Sequence, residues 1–199
     1  MSNYIIGLTG GIACGKTNLT DALSSVGAPI VDADVVSRTV TADQGAALPA
    51  LRRAFGDGIF DGERLNRKAL GELVFADEEK RRLLNSLLHP IIIRECERQL
   101  IEIPGPAVYS VPLLFECGLE KSCHEVWCAY IPQKEQIKRL RQRDGITAKA
   151  ALQKIRSQWP TLKKARLSDR VIRTDGSKEE SAAIVISMWQ ETLARLSQP

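Results

Sequence analysis

The apolar run Tyr4-Ile5-Ile6 continues to Leu8 and gives out among closely spaced glycines, the pattern of a short buried strand entering a tight loop. Beyond the loop, Leu19, Ala22, Leu23 and Val26 fall at i, i+3, i+4 and i+7, which predicts a helix from near Lys16 to Gly27. Pro29-Ile30-Val31 reads as a second short strand ending at Asp32-Ala33-Asp34, with Val35 to Val40 helical behind it. This is the opening of a parallel βαβ arrangement. From about Thr41 to Ile103 the pattern becomes helical, with no strand signal other than one near Ile59, and His89-Pro90 is expected to break or kink its last helix. Strand-like runs resume at "PAVYSVPLLF" and "HEVWCAYIP", and Pro132 stands where a new helix would start. Gln133 to Arg143 and Thr147 to Trp159 read as basic helices, and Asp169 to Ile172 as a last strand. Ser177 and Glu180 form a capping box for a final helix carrying Ile184, Val185, Met188, Trp189 and Leu193.

Composition narrows the class. At 199 residues, with 44% hydrophobic and 26% charged residues, the chain can bury a proper core. No window approaches the roughly 18 apolar residues of a membrane span, and Met1-Ser2-Asn3 carries no positive leader, so no membrane association and a cytoplasmic location are expected. Five cysteines without a C-x-x-C pair fit reduced thiols. Cys117, Cys123, His124 and Cys128 invite a metal reading, against which the stretch also reads as a buried strand beside a turn. The net charge of +4 is uneven: Ile131 to Asp175 holds 13 Lys or Arg against 4 Asp or Glu. Such a segment is either a solvated helical face or a surface that closes over phosphates.

The opening loop matches G-x-x-x-x-G-K-[ST] at Gly10, Gly15, Lys16 and Thr17, between a predicted strand and a predicted helix. Backbone N–H groups there turn inward around a phosphate, and the helix N-terminus adds partial positive charge. Gly11, Ala13, Cys14, Gly15, Lys16, Thr17 and Asn18 are the candidate ATP-binding residues, with Lys16 on the β- and γ-phosphates and the Thr17 hydroxyl on Mg²⁺. Cys14 is either a thiol with a pKa lowered by the amides and Lys16, or a small side chain that fits. Asp32 and Asp34, at i and i+2, point to one side if the strand continues, one then orienting Mg²⁺ through water and the other accepting a proton; the alternative is an aspartate cap on the next helix. Neither N-K-x-D nor D-x-x-G occurs, which argues against a GTPase. Arg139 and Arg143 share a helix face at i, i+4 and can neutralise charge on a transferred phosphoryl group.

"LTGGIACGKT", "VDADVVSR", "LLHP", "VPLLFE", "QRDG" and "SDRVI", in this order and spacing from about Ile5 to Trp189, resemble the dephospho-CoA kinase family. The resemblance implies an α/β fold: a P-loop NTPase-type parallel sheet flanked by helices, with a helical substrate domain and a lid. On this expectation residues 1–199 form one kinase domain, with core 1–40 and 104–199, a helical insertion at about 41–103 and a basic lid at about 138–168. It further implies transfer of the ATP γ-phosphate to the ribose 3′-hydroxyl of dephospho-coenzyme A, a small-molecule substrate and not nucleic acid. Asp34 becomes the candidate base and substrate contact, Asp32 with Thr17 the Mg²⁺ side, and Arg143, then Arg139, the phosphate clamp. His89, Leu113 and Phe115 fall on the family's substrate side. Family members commonly carry Asn where this chain has Thr174, which leaves the adenine contacts there open. Outside this family, another small P-loop kinase, for shikimate or a nucleoside monophosphate, or a nucleotide-dependent RNA- or protein-binding regulator using the basic segment, fits the same loop.

Overall fold

The computed structural model of the protein describes residues 4–75 and 77–198, so the Met1-Ser2-Asn3 stretch considered above lies outside the described residues. Two compact units divide the chain: Met1–Ile30 with Ile103–Pro199, and Val31–Glu102. The chain opens with β1 (Ile5–Gly10), α1 (Lys16–Ser25) and β2 (Ile30–Asp32), and the unit boundary falls inside β2. The second unit contains α2 (Ala33–Val40), α3 (Leu48–Phe55), a hairpin of β3 (Phe60–Asp61) and β4 (Arg64–Leu65), α4 (Arg67–Phe75) and α5 (Glu78–Glu102). The chain then forms β5 (Ala107–Ser110), β6 (Glu125–Tyr130), α6 (Gln133–Asp144), α7 (Ala148–Arg156), α8 (Thr161–Leu167), β7 (Arg170–Arg173) and α9 (Lys178–Leu196).

The main sheet runs in the order β2-β5-β1-β6-β7, and β1 pairs in parallel with both β5 and β6. The central strands are buried almost throughout and mostly apolar, as a parallel sheet covered on both faces requires. Ile6, Leu8, Val108, Trp127 and Ala129 are fully buried in one cluster with Leu19 and Leu23 of α1 and Val185 of α9. Each of the Val, Leu and Ile side chains among them contributes about 1.5–3 kcal/mol. The predicted capping box is present: the Ser177 hydroxyl accepts the Glu180 N–H at 3.0 Å and the Glu180 carboxylate accepts the Ser177 N–H at 2.8 Å.

Two local expectations are corrected and two pairs of alternatives are narrowed. α5 runs unbroken from Glu78 to Glu102 with Pro90 inside it, so the His89-Pro90 pair does not end the helix. β5 stops at Ser110, just before Pro112, which has no N–H for a ladder; Leu114 and Phe115 are buried outside any strand. α7 ends at Arg156, and a separate seven-residue α8, which the sequence pattern did not reveal, begins behind Pro160. The strand before Asp32-Ala33-Asp34 does not continue: Asp32 is the N-cap of α2, its carboxylate accepting the N–H groups of Asp34 at 2.8 Å and Val35 at 3.2 Å.

Glu125 ties the N-terminal edge of the sheet together. Its Oε1 accepts the Trp127 indole N–H at 2.8 Å and pairs with Arg170 at 2.8 Å, while Oε2 takes Arg195 at 2.7 Å and the Tyr4 hydroxyl at 3.2 Å. Burial pushes this carboxyl up, but the Trp127 donor and the two guanidiniums together outweigh it and hold it below the ordinary glutamate value. A depressed folded-state value contributes stability above the unfolded pKa of about 4.3, which is lost as pH falls through the folded value. Glu125→Gln is therefore expected to destabilise the protein by about 1–3 kcal/mol at neutral pH. It should also shrink the difference in unfolding midpoint between pH 7 and pH 4, read by denaturant titration at each pH.

Candidate active site

β1 lies between β5 and β6, so its C-terminal end opens where the sheet order switches, the place where open α/β sheets receive ligands. Past Gly10, the Cys14 N–H donates to the Gly11 carbonyl at 3.1 Å and closes a turn. Ala13 and Gly15 then adopt left-handed conformations with φ of 62° and 80°. Gly15 takes this backbone without steric cost, whereas Ala13 is strained by about 1–2 kcal/mol. The succession bends the chain into a concave nest at the N-terminus of α1, and among the described residues the amides of Ala13, Gly15 and Thr17 have no internal acceptor. Lys16 projects from the first position of α1, its ammonium donating to the Ser110 hydroxyl at the end of β5 at 2.6 Å.

The loop is held from behind. The Ile12 N–H donates to Gln158 Oε1 at 3.0 Å, and the Ile12 carbonyl accepts Gln136 Nε2 at 2.8 Å. The Cys14 carbonyl accepts the Thr174 hydroxyl at 2.7 Å. Ile12 and Ala13 also pack on the buried Leu140, Ala151 and Ile155 of α6 and α7. Gly11 sits so close to this support that a Cβ there would stand 2.0 Å from Thr161 Oγ1 and 2.7 Å from Gln136 Nε2.

Of the other residues singled out in this unit, Arg139 is at the loop: its guanidinium donates to the Thr174 carbonyl, and one of its nitrogens would lie 3.6 Å from a Cβ at Gly15. Arg143, one turn further along α6, is exposed and paired with Asp144 at 2.7 Å. Thr17 is exposed, while the Asn18 amide is turned to α9, where it donates to the Lys178 carbonyl and the Ser181 hydroxyl. Thr174 tethers the loop and the following strand end, with its N–H on the Tyr130 carbonyl at 3.1 Å. Leu113 is half-buried and Phe115 is buried. In the second unit, Asp32 caps α2, Asp34 is exposed in the first turn of that helix, and His89 is half-buried on α5.

Of the two readings of Cys14, the structure favours the small side chain that fits. Its side chain is only 1% exposed, and burial pushes the thiol up, against smaller opposing effects of the Thr161 hydroxyl, nearby amides and Arg139. Cys123 and Cys128 are pushed up to about 12, again by burial first. His124 Nδ1 accepts the Ile5 N–H at 3.0 Å and its ring stacks on Tyr4.

Sequence reasoning missed Ser110, Gln136, Gln158 and the role of Lys164. Lys164 belongs to the basic run, yet its side chain is 0% exposed, bonded to the Pro112 carbonyl at 2.6 Å and paired with Glu116 at 2.8 Å. The same Glu116 oxygen accepts the Trp159 N–H at 2.9 Å. No periodicity marks a polar side chain that points inward to backbone.

The fold overlays a dephospho-CoA kinase from Campylobacter jejuni with a TM-score of 0.68 over 95% of this chain and 97% of that chain, at 24% identity, a likeness of fold. The parallel sheet, the nest at the end of β1 and the lysine beside it define the class: this is a P-loop kinase, a phosphoryl transferase. A sequence profile of the dephospho-CoA kinase family matches residues 4–180. The chain is 38% identical over 182 residues to a dephospho-CoA kinase of Parasynechococcus marenigrum, covering 90% of this chain and 92% of that protein. With a Thermosynechococcus vestitus dephospho-CoA kinase it shares 41% identity over 179 residues, 88% of each chain. The chain belongs to the dephospho-CoA kinase family.

Two outcomes follow from the loop's geometry. Gly11→Ala is expected to displace the loop and weaken ATP binding by at least about tenfold, because the added carbon overlaps atoms held in place on two sides; isothermal titration calorimetry checks it. Cys14 in the native protein should react with iodoacetamide at neutral pH no faster than about a hundredth of the rate in the unfolded chain. Peptide mass mapping of partly alkylated protein reads this directly.

Proposed function

We propose that the protein transfers the γ-phosphoryl group of ATP to the ribose 3′-hydroxyl of dephospho-coenzyme A, giving coenzyme A and ADP, in the cytoplasm. The observation that carries this reading is the backed nest at residues 11–17 with Lys16 beside it, in a chain of this family. The amides of Ala13, Gly15 and Thr17 receive phosphate oxygens, and the Lys16 ammonium follows the charge that gathers on the β–γ bridge. Arg139 is already against the loop, and Arg143 reaches the phosphates by exchanging Asp144 for them. The acceptor oxygen bonds to the γ-phosphorus as the bond to the β-phosphate oxygen breaks, and Asp34 takes the hydroxyl proton.

Mg²⁺ suits the residues present. The exposed Thr17 hydroxyl and an aspartate such as Asp32 are hard oxygen donors, and Mg²⁺ is commonly held by few protein oxygens together with substrate phosphates. When bound it neutralises charge on the transferred group. Asp32 would serve through water, since one of its oxygens already caps α2. His89, Leu113 and Phe115 are assigned to the acceptor, and residues 41–103 and 138–168 to the substrate domain and the lid.

The test is an acceptor screen with ATP and Mg²⁺, following ADP release and product mass for dephospho-CoA, shikimate and nucleoside monophosphates. One phosphoryl group gained by dephospho-CoA alone is the expected result, and transfer only to another acceptor would sink the proposal. Lys16→Ala should lower turnover by about 10²–10³ or more. Asp34→Asn should lower kcat by about 10²–10⁴ while ATP affinity changes little, and near-normal turnover would remove Asp34 as the base.

A further inference from the structure

The peptide of Ile12 is gripped at both ends by side chains from one segment. Its N–H goes to Gln158 Oε1 at 3.0 Å and its carbonyl to Gln136 Nε2 at 2.8 Å. A peptide N–H only donates and a carbonyl only accepts, so the chemistry fixes which way round each glutamine amide stands. Gln136 is buried on α6, and Gln158 lies between α7 and α8. Apolar contact fixes the same spot from below, where Ile12 and Ala13 rest on Leu140, Ala151 and Ile155. The next residue, Ala13, holds a left-handed backbone that alanine does not choose unaided.

We propose that Gln136 and Gln158 act as a pair of positioning residues that hold the Ile12 peptide, and through it the amides of residues 13–17, in the geometry that receives the phosphates of ATP. The Ile12 N–H, engaged by Gln158, is withdrawn from the set of donors offered to the ligand, and the strain at Ala13 is carried by the grip on its neighbour. Because Gln158 lies between α7 and α8, displacement of that segment loosens the nest, so nucleotide affinity and the placement of the basic segment are coupled. This rests on the nucleotide reading of the loop.

ATP affinity of the full-length protein and its variants, measured by calorimetry at fixed salt, tests the pair. Gln158→Ala is expected to weaken ATP binding about three- to tenfold, the effect of one lost hydrogen bond. Gln158→Glu keeps an acceptor for the Ile12 N–H, whereas Gln136→Glu sets an acceptor against the Ile12 carbonyl. Both variants add one negative charge on opposite sides of a single residue, so repulsion of the triphosphate is largely shared between them. Gln136→Glu should bind ATP at least about tenfold more weakly than Gln158→Glu. The rise in KM should fall on ATP and spare dephospho-CoA. Thermal unfolding without nucleotide shows that each variant is folded at the assay temperature, and Gln136→Met replaces Gln136→Glu if the latter is not. Folded variants that all bind ATP as tightly as the parent overturn the proposal and leave the nucleotide reading standing. A parent protein that binds no ATP overturns both.

Discussion

A loop that receives phosphate is a cluster of backbone donors without internal partners, and such a cluster cannot hold its own shape. Its other polar groups must be satisfied from behind, or the loop turns to satisfy them itself. Here the Gly11 carbonyl closes a turn on Cys14, the Ile12 peptide is taken at both ends by glutamines, and the Cys14 carbonyl is taken by Thr174. The supporting groups come from α6, from the end of α7 and from the end of β7. Placement of the nest therefore depends on the sheet that carries β7 beside β6, and on the basic helices that follow β6.

That dependence gives the basic segment a double character. Lys138, Arg141, Arg143 and Lys149 are exposed, as a segment with excess positive charge would suggest. Gln136, Leu140, Ala151, Ile155 and Lys164 of the same stretch are buried and serve the fold. A charge count averages the two populations and conceals the second.

What was legible in the sequence was whatever repeats or has a fixed spacing. The apolar strands, the amphipathic α1 and α9, the capping box at Ser177 and the glycine pattern ahead of Lys16 each follow from local geometry, and each is present. Asp32 was legible only as a pair of alternatives, because an aspartate after a strand serves equally as a ligand or as a cap, and the helix begins two residues sooner than a strand continued through Asp34 requires. α5 carries Pro90 inside it without a break, so of the two outcomes a mid-helix proline allows, the break is excluded. Cys14 was legible only as two alternatives, because charge proximity is visible in sequence and burial is not. Gln136, Gln158 and Lys164 were illegible for a deeper reason: each bonds backbone far away in the chain, and no local pattern encodes the partner.

Glu116 carries one more implication. One of its oxygens accepts both the Lys164 ammonium and the Trp159 N–H, so a single atom serves α8 and the stretch just before it. Lys164 has no water to turn to when that oxygen moves, and its second partner, the Pro112 carbonyl, lies on the same stretch as Glu116. A change at Glu116 therefore reaches α8 and the residue ahead of Pro160 together.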